Sequence, residues 1–342
     1  MKSRYLAFLF AVAVGLTLSA PAFAKKLNIV TTTTDLASIA EAVGGDKVEV
    51  TSICTGRQDP HFVEAKPSYM MKAKAADLFI RVGLELEIGY EQPIIDGSRN
   101  RKIRIGSPGH LDVSKGVRRL EVPGSKVTRA MGDVHPLGNP HYWLDPYNAR
   151  VVAKNIADRL GELSPGDADY FKDKLSSFQS HIDNATFGEK LVKRVGAAKL
   201  WSMSTKGTLA DYLTTNKLSG DLGGWMKKMW PYRGRKIVTY HRSWSYFVDR
   251  FGLTVADELE PKPGIPPSPG HVAEVINRMK AEKIKALVME PFYDRKPADL
   301  VAGKTGARVV VVANSVGGDK GAGDYFGLMT MIVDRISSAL SG

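Results

Sequence analysis

The sequence predicts an α/β protein of two lobes, each a four-stranded, mainly parallel sheet flanked by helices, joined by one long rigid helix. Three observations carry this expectation. Eight short runs rich in Val and Ile recur along the chain, and several are apolar throughout, as strands buried on both faces are. Longer amphipathic stretches separate them, and strand–helix alternation builds parallel sheets covered on both sides. The eight runs also fall into two groups of four, parted by a strand-free helical segment from Pro146 to about Gly196.

In chain order, the first group of strands is Leu27–Thr34, Lys47–Cys54, Ala76–Gly83 and Arg101–Gly106. Helical patterns fall between them at Asp35–Val43 and Pro67–Lys74, with Asp35 placed as an N-cap. Gly106–Asn139, rich in Gly, Pro and charge, reads as a loop. Tyr147–Leu163 forms a helix, Ser164-Pro165-Gly166 breaks it, and Asp167 to about Lys193 forms a second one. Ser164 as N-cap with Pro165 at the first helical position is a start signal. At ~1.5 Å per residue the second helix reaches about 40 Å, enough to run from one lobe to the other. The second group of strands is Lys236–His241, Thr254–Leu259, Lys285–Pro291 and Arg308–Asn314. Its helices are Ser243–Phe251, His271–Ala281 and Asp324–Leu340, with Ser243 and Asp324 at N-cap positions and a loop over Glu260–Gly270. The expected organisation is a leader at 1–24, a first lobe at 25–164, the connecting helix at 165–196 and a second lobe at 197–342.

Lys2 and Arg4 precede the apolar stretch Tyr5–Leu18, and Ala22-Phe23-Ala24 has the small-x-small pattern of a cleavage site. A secretory signal peptide removed after Ala24 is expected, because the apolar run is short for a ~30 Å hydrocarbon core. No cysteine stands near the junction to take a lipid, so the expected destination is the periplasm. The single cysteine, Cys54, excludes an internal disulfide and reads as a small apolar strand residue. No second long apolar run follows, which excludes a polytopic membrane protein. The net charge of +12 is spread thinly: the tightest basic groups, Lys25-Lys26, Arg118-Arg119 and Lys227-Lys228, are only pairs. No nucleic-acid-binding motif accompanies them, so nucleic acid is not an expected partner.

The histidines carry the chemistry. His61 follows the second strand in Asp59-Pro60-His61, His141 precedes the helical segment in Pro140-His141-Tyr142-Trp143, and His241 ends the fifth strand. Glu290 and Asn314 end the last two strands. Ligands of open α/β sheets bind beyond the carboxyl ends of strands, where several of these residues sit. Three imidazoles converging on a cleft suit a first-row metal such as zinc. The remaining histidines read as bland: His110 and His135 as solvent residues or weak accessory ligands, His181 as surface, His271 as a helix cap. Gly303-Lys304-Thr305 lacks the earlier glycine of a phosphate-binding loop, and no G-x-S-x-G elbow occurs. A rival of another class is a secreted zinc hydrolase, with His61-Phe62-Val63-Glu64 supplying an H-x-x-E pair.

At these residues the chain resembles the metal-specific periplasmic solute-binding proteins of zinc and manganese ABC importers. The resemblance spans essentially the whole mature chain. It rests on Asp59-Pro60-His61 with Glu64 and Pro67, Ala76-Asp77 through Glu87, Pro140 through Pro146, Tyr240-His241 through Leu253, and Met289-Glu290-Pro291. It implies two α/β lobes with the metal in the cleft between them. It also implies His61 and His141 as first-lobe ligands and His241 as the second-lobe ligand. Manganese-binding relatives tend to carry a carboxylate where His241 stands, so the resemblance favours zinc, with manganese or iron as the alternative. The family's fourth ligand is usually an Asp after the last strand, and Asn314 occupies that position here. Glu290 is therefore expected as the fourth ligand, with Asn314 as the alternative. The implied function is not enzymatic: a monomer captures the ion and delivers it to an inner-membrane ABC permease.

Overall fold

The computed structural model describes residues 25–128, 131–132 and 134–341, so the expected leader at 1–24 lies outside the described residues. The first lobe opens with β1 (Leu27–Thr31), α1 (Thr34–Gly44), β2 (Val48–Ser52), α2 (Pro67–Lys74), β3 (Leu78–Arg81), α3 (Glu91–Ser98) and β4 (His110–Asp112). Helices α4 (Pro146–Leu163), α5 (Ala168–Phe187), α6 (Glu189–Val195), α7 (Ala197–Thr205), α8 (Leu209–Thr215) and α9 (Gly224–Met229) follow. The second lobe contains β5 (Lys236–Thr239), α10 (Ser245–Phe251), β6 (Thr254–Glu258), α11 (Pro269–Ala281), β7 (Ala286–Met289), α12 (Arg295–Thr305), β8 (Arg308–Val311) and α13 (Tyr325–Leu340).

Both sheets are parallel and share one topology, β2-β1-β3-β4 and β6-β5-β7-β8. In each, the chain steps to one side of its first strand and then crosses to the other. The switch points therefore lie between β1 and β3 and between β5 and β7, where open sheets hold ligands. The strands that line them are apolar on both faces: Leu78, Phe79 and Ile80 of β3, and all four residues of β7, are buried. This explains why they read as continuous hydrophobic runs.

Differences from expectation have local causes. The fourth strand of the first sheet is His110–Asp112, not Arg101–Gly106. Residues Arg101–Ile103 form a 3-10 turn, because the Asn100 side chain accepts from Lys102 N and only Ile103 is buried. The helix expected from Asp167 to about Lys193 is divided at Gly188, which takes φ 83 and approaches Gly223 so closely that a Cβ would lie 2.6 Å from its Cα. Thr33, not Asp35, caps α1, and Ser245, not Ser243, opens α10 after a 3-10 turn. Asp324 does cap α13, accepting from Gly327 N. Helices α3, α7, α8, α9 and α12 were not anticipated, and each is short or only weakly periodic.

The lobes share a core. One apolar cluster runs from Ile29, Leu36 and Ile80 through Tyr142 and Trp143 to Phe247 and Ile332. Helix α5 packs on α1 and α4 on one side and on α9 on the other. Polar bonds reinforce the seam: Trp143 Nε1 donates to the Asn314 carbonyl at 2.8 Å, Tyr325 Oη to the Trp143 carbonyl at 2.7 Å, and Val316 N to Asp35 Oδ1 at 2.9 Å. No described helix is long and apolar enough to cross a membrane.

Candidate metal centre

Two of the predicted ligands are set by the same four-atom device. In Asp59-Pro60-His61 the Asp59 Oδ1 accepts from His61 N at 3.0 Å and from His61 Nδ1 at 2.8 Å. In Asn139-Pro140-His141 the Asn139 Oδ1 accepts from His141 N and Nδ1, both at 2.9 Å. An Asx side chain bonding the backbone two residues on makes a compact turn, and here the same oxygen also fixes the ring. His241, just past β5, is held from another loop: its Nδ1 lies 2.6 Å from Glu260 Oε2, which also accepts from Gly264 N at 3.0 Å.

Each of these Nδ1 atoms is held by an oxygen, which leaves the Nε2 edge of each ring free of that partner. The three rings face one another, with centroids 5.1 Å apart for His61 and His141 and 5.5 Å for each with His241. Their ligand atoms all lie within 4.8 Å of one another, and His141 and His241 are buried. Burial, with His61 and His241 alongside, holds the His141 ring well below the usual imidazole range, so it stays neutral and able to ligate. Burial alone would raise Asp59, but its bonds to His61 outweigh that and hold its carboxyl below the usual range. The centre thus offers three imidazoles backed by the side chains of Asp59 and Glu260. A dication's charge would be balanced one bond away from the ligands, as in carboxylate–histidine–zinc groupings.

Glu290 stands past β7, fully buried, outside the triad's cluster; the Ser243 side chain faces it, but neither oxygen meets hydrogen-bond geometry. Burial pushes its carboxyl up to about 8. Asn314, past β8, is buried with its Oδ1 unbonded while its carbonyl accepts from Trp143. Glu64 is exposed and away from the triad, so the H-x-x-E pair of the hydrolase reading does not form. His110 is not a solvent residue: it lies in β4 beside Glu91, with its Nε2 2.7 Å from Oε1, stacked on Phe79. His181 is exposed, stacked on Phe326. His271 sits at the start of α11, where Ser268 is the cap. Cys54 is buried next to β2, near Tyr90.

Sequence reasoning missed the outer partners. Asp59 and Asn139 each stand two residues before a ligand histidine, and their shared Asx-Pro-His spacing is the available signal. Glu260 had none, because nineteen residues separate it from His241. Tyr293, whose Oη donates to Asp59 Oδ2 at 3.2 Å, ties the second lobe to the first at the cleft.

The chain matches the family model described as ZnuA, zinc-uptake complex component A periplasmic, over residues 29–192 and 219–339. The metal ABC transporter substrate-binding lipoprotein FimA of Streptococcus parasanguinis is 27% identical over 319 residues, covering 92% of this chain and 90% of its own. The manganese ABC transporter substrate-binding lipoprotein PsaA of Streptococcus pneumoniae is 25% identical over 326 residues, covering 94% and 92%. A crystal structure of ZnuA superposes with a TM-score of 0.67 at 21% identity, covering 92% of this chain and 99% of that one, a likeness of fold.

Proposed function

We propose a function from one premise: this chain belongs to the ZnuA family of metal ABC importer substrate-binding proteins. Proteins of this kind bind metal for transport and are not enzymes; they work with a membrane permease and its ATPase. On that basis the chain captures zinc in the interlobe cleft through His61, His141 and His241 and hands it to an inner-membrane permease. The observation that carries the reading is the set of three Nδ1 bonds, which fixes three rings whose ligand atoms lie within 4.8 Å of one another. Three nitrogen donors suit zinc better than manganese, which prefers oxygen. Manganese or iron is the alternative cargo, and the relative named for manganese keeps it open.

The protein acts in the periplasm as a monomer, released by its signal peptide. The relatives named above are lipoproteins, whereas the one cysteine of this chain is Cys54, buried in the first lobe. Native mass spectrometry of protein purified from periplasm without added metal, read beside elemental analysis, tests the reading. One zinc per chain is expected; a chain indifferent to every added divalent ion overturns it. Replacing His61, His141 or His241 by Ala should each cost more affinity than the about 10–100-fold typical of an outer partner, and His181→Ala nothing.

A further inference from the structure

The triad supplies three of the four donors that a closed zinc site takes. Glu290, the carboxylate past β7, is not part of the cluster that the three histidines form. A fourth imidazole stands beside it: His135, on the loop between β4 and α4, has its Nε2 3.2 Å from His61 Nε2 and its ring centroid 5.2 Å away. Two nitrogens on a tetrahedral zinc at 2.0–2.1 Å are separated by about 3.3–3.4 Å, so this spacing is that of neighbouring ligands.

The Asp59 carboxylate can only accept, so His61 Nδ1 donates to it and the ring turns its Nε2 toward His135. His135 also lines a cavity of about 30 Å³ together with His141 and His241, so it borders all three members of the triad.

We propose that His135 is the fourth ligand, closing the triad into a four-imidazole site from the His61 edge. This rests on the zinc-binding reading above and deepens it. Four imidazole nitrogens, with Asp59 and Glu260 behind them, would reject manganese more strongly than three nitrogens and a carboxylate.

Zinc K-edge X-ray absorption on the full mature chain, with chelator competition for affinity, tests the assignment. The wild-type protein should show four imidazoles. His135→Ala should show three imidazoles and an oxygen donor, with affinity lower by at least about 10-fold, and added imidazole should restore the fourth nitrogen. Cobalt(II) absorption should report the same change as a weakened, shifted d–d band. His135→Asn provides a second variant if the alanine form does not fold, and is expected to behave alike. A wild-type spectrum with three imidazoles, or unchanged affinity and spectra in both variants, overturns the proposal while leaving the triad intact. A wild-type chain that binds neither zinc nor cobalt overturns the zinc-binding reading as well.

Discussion

Asp59 and Asn139 place their histidines with one oxygen each, and that oxygen also decides the tautomer. The distinction between carboxylate and amide matters here. At Asp59 and Glu260 the acceptor carries charge, so it raises the basicity of the imidazole as well as orienting it. Asp59→Asn or Glu260→Gln keeps the shape but removes that charge, and the new amide can turn its NH₂ to the ring. Each should lower zinc affinity about 10–100-fold in chelator competition. Retained wild-type affinity in both variants would show that the charge balance lies elsewhere.

At the scale of elements, the site depends on where α4 starts. Asp145 caps α4 by accepting from Tyr147 N, and the same carboxylate takes two bonds from Arg250 of α10, at 2.7 and 2.8 Å. Both side chains are almost wholly buried, so the pair is dry. It pins the segment that presents His141 to the helix that follows His241. Removing one partner of a buried pair strands the other charge, which costs about 3–5 kcal/mol. Arg250→Ala should therefore lower the unfolding free energy from urea titration by that amount, through a lower midpoint at unchanged slope. A loss below about 1 kcal/mol would show that the pair is solvated in solution.

At the scale of the molecule, the shared core and the seam bonds make the two lobes one body. Wide hinge closure around the ion is accordingly not expected, and metal capture should proceed through local loop movement. Asp35 reports on this seam. It lies wholly buried in the first lobe, accepts from Val316 N of the second, and leaves Oδ2 without a partner. Burial pushes its carboxyl up to about 7, although the Val316 and Ser315 bonds oppose this. In the folded state it holds its proton where the unfolded chain has lost it. Its contribution is thus fully present below about pH 4 and is lost as pH rises through 7. Asp35→Asn keeps the Val316 bond without the charge. Its stability relative to wild type should climb by roughly a few kcal/mol between pH 4 and pH 8 in thermal melts. A pH-independent difference would contradict the burial argument. Zinc at about 100 times its dissociation constant should add about 2.7 kcal/mol to the folded state, read as a higher melting temperature. An unchanged melting temperature would mean that the ion does not prefer the folded cleft.

Much of the architecture is legible in the sequence for a physical reason. Strands such as Leu78–Arg81 and Ala286–Met289 are buried on both faces, so their apolar runs stand out. The triad is legible because Pro60, Pro140 and the end of β5 mark its histidines as loop residues beyond strand ends. His110–Asp112 escapes because three residues carry too little pattern, and the break in the long helix escapes because Gly188 is ordinary until Gly223 packs against it. The pairing of Glu260 with His241 and the contact of His135 with His61 belong to the tertiary structure alone. Whether a carboxylate ligates, backs an imidazole or stays protonated depends on its burial and on partners far away in the chain. Folding decides both: it isolates Glu290 from water and hydrogen bonds, joins Glu260 to His241, and brings His135 to the edge of His61 across seventy-four residues.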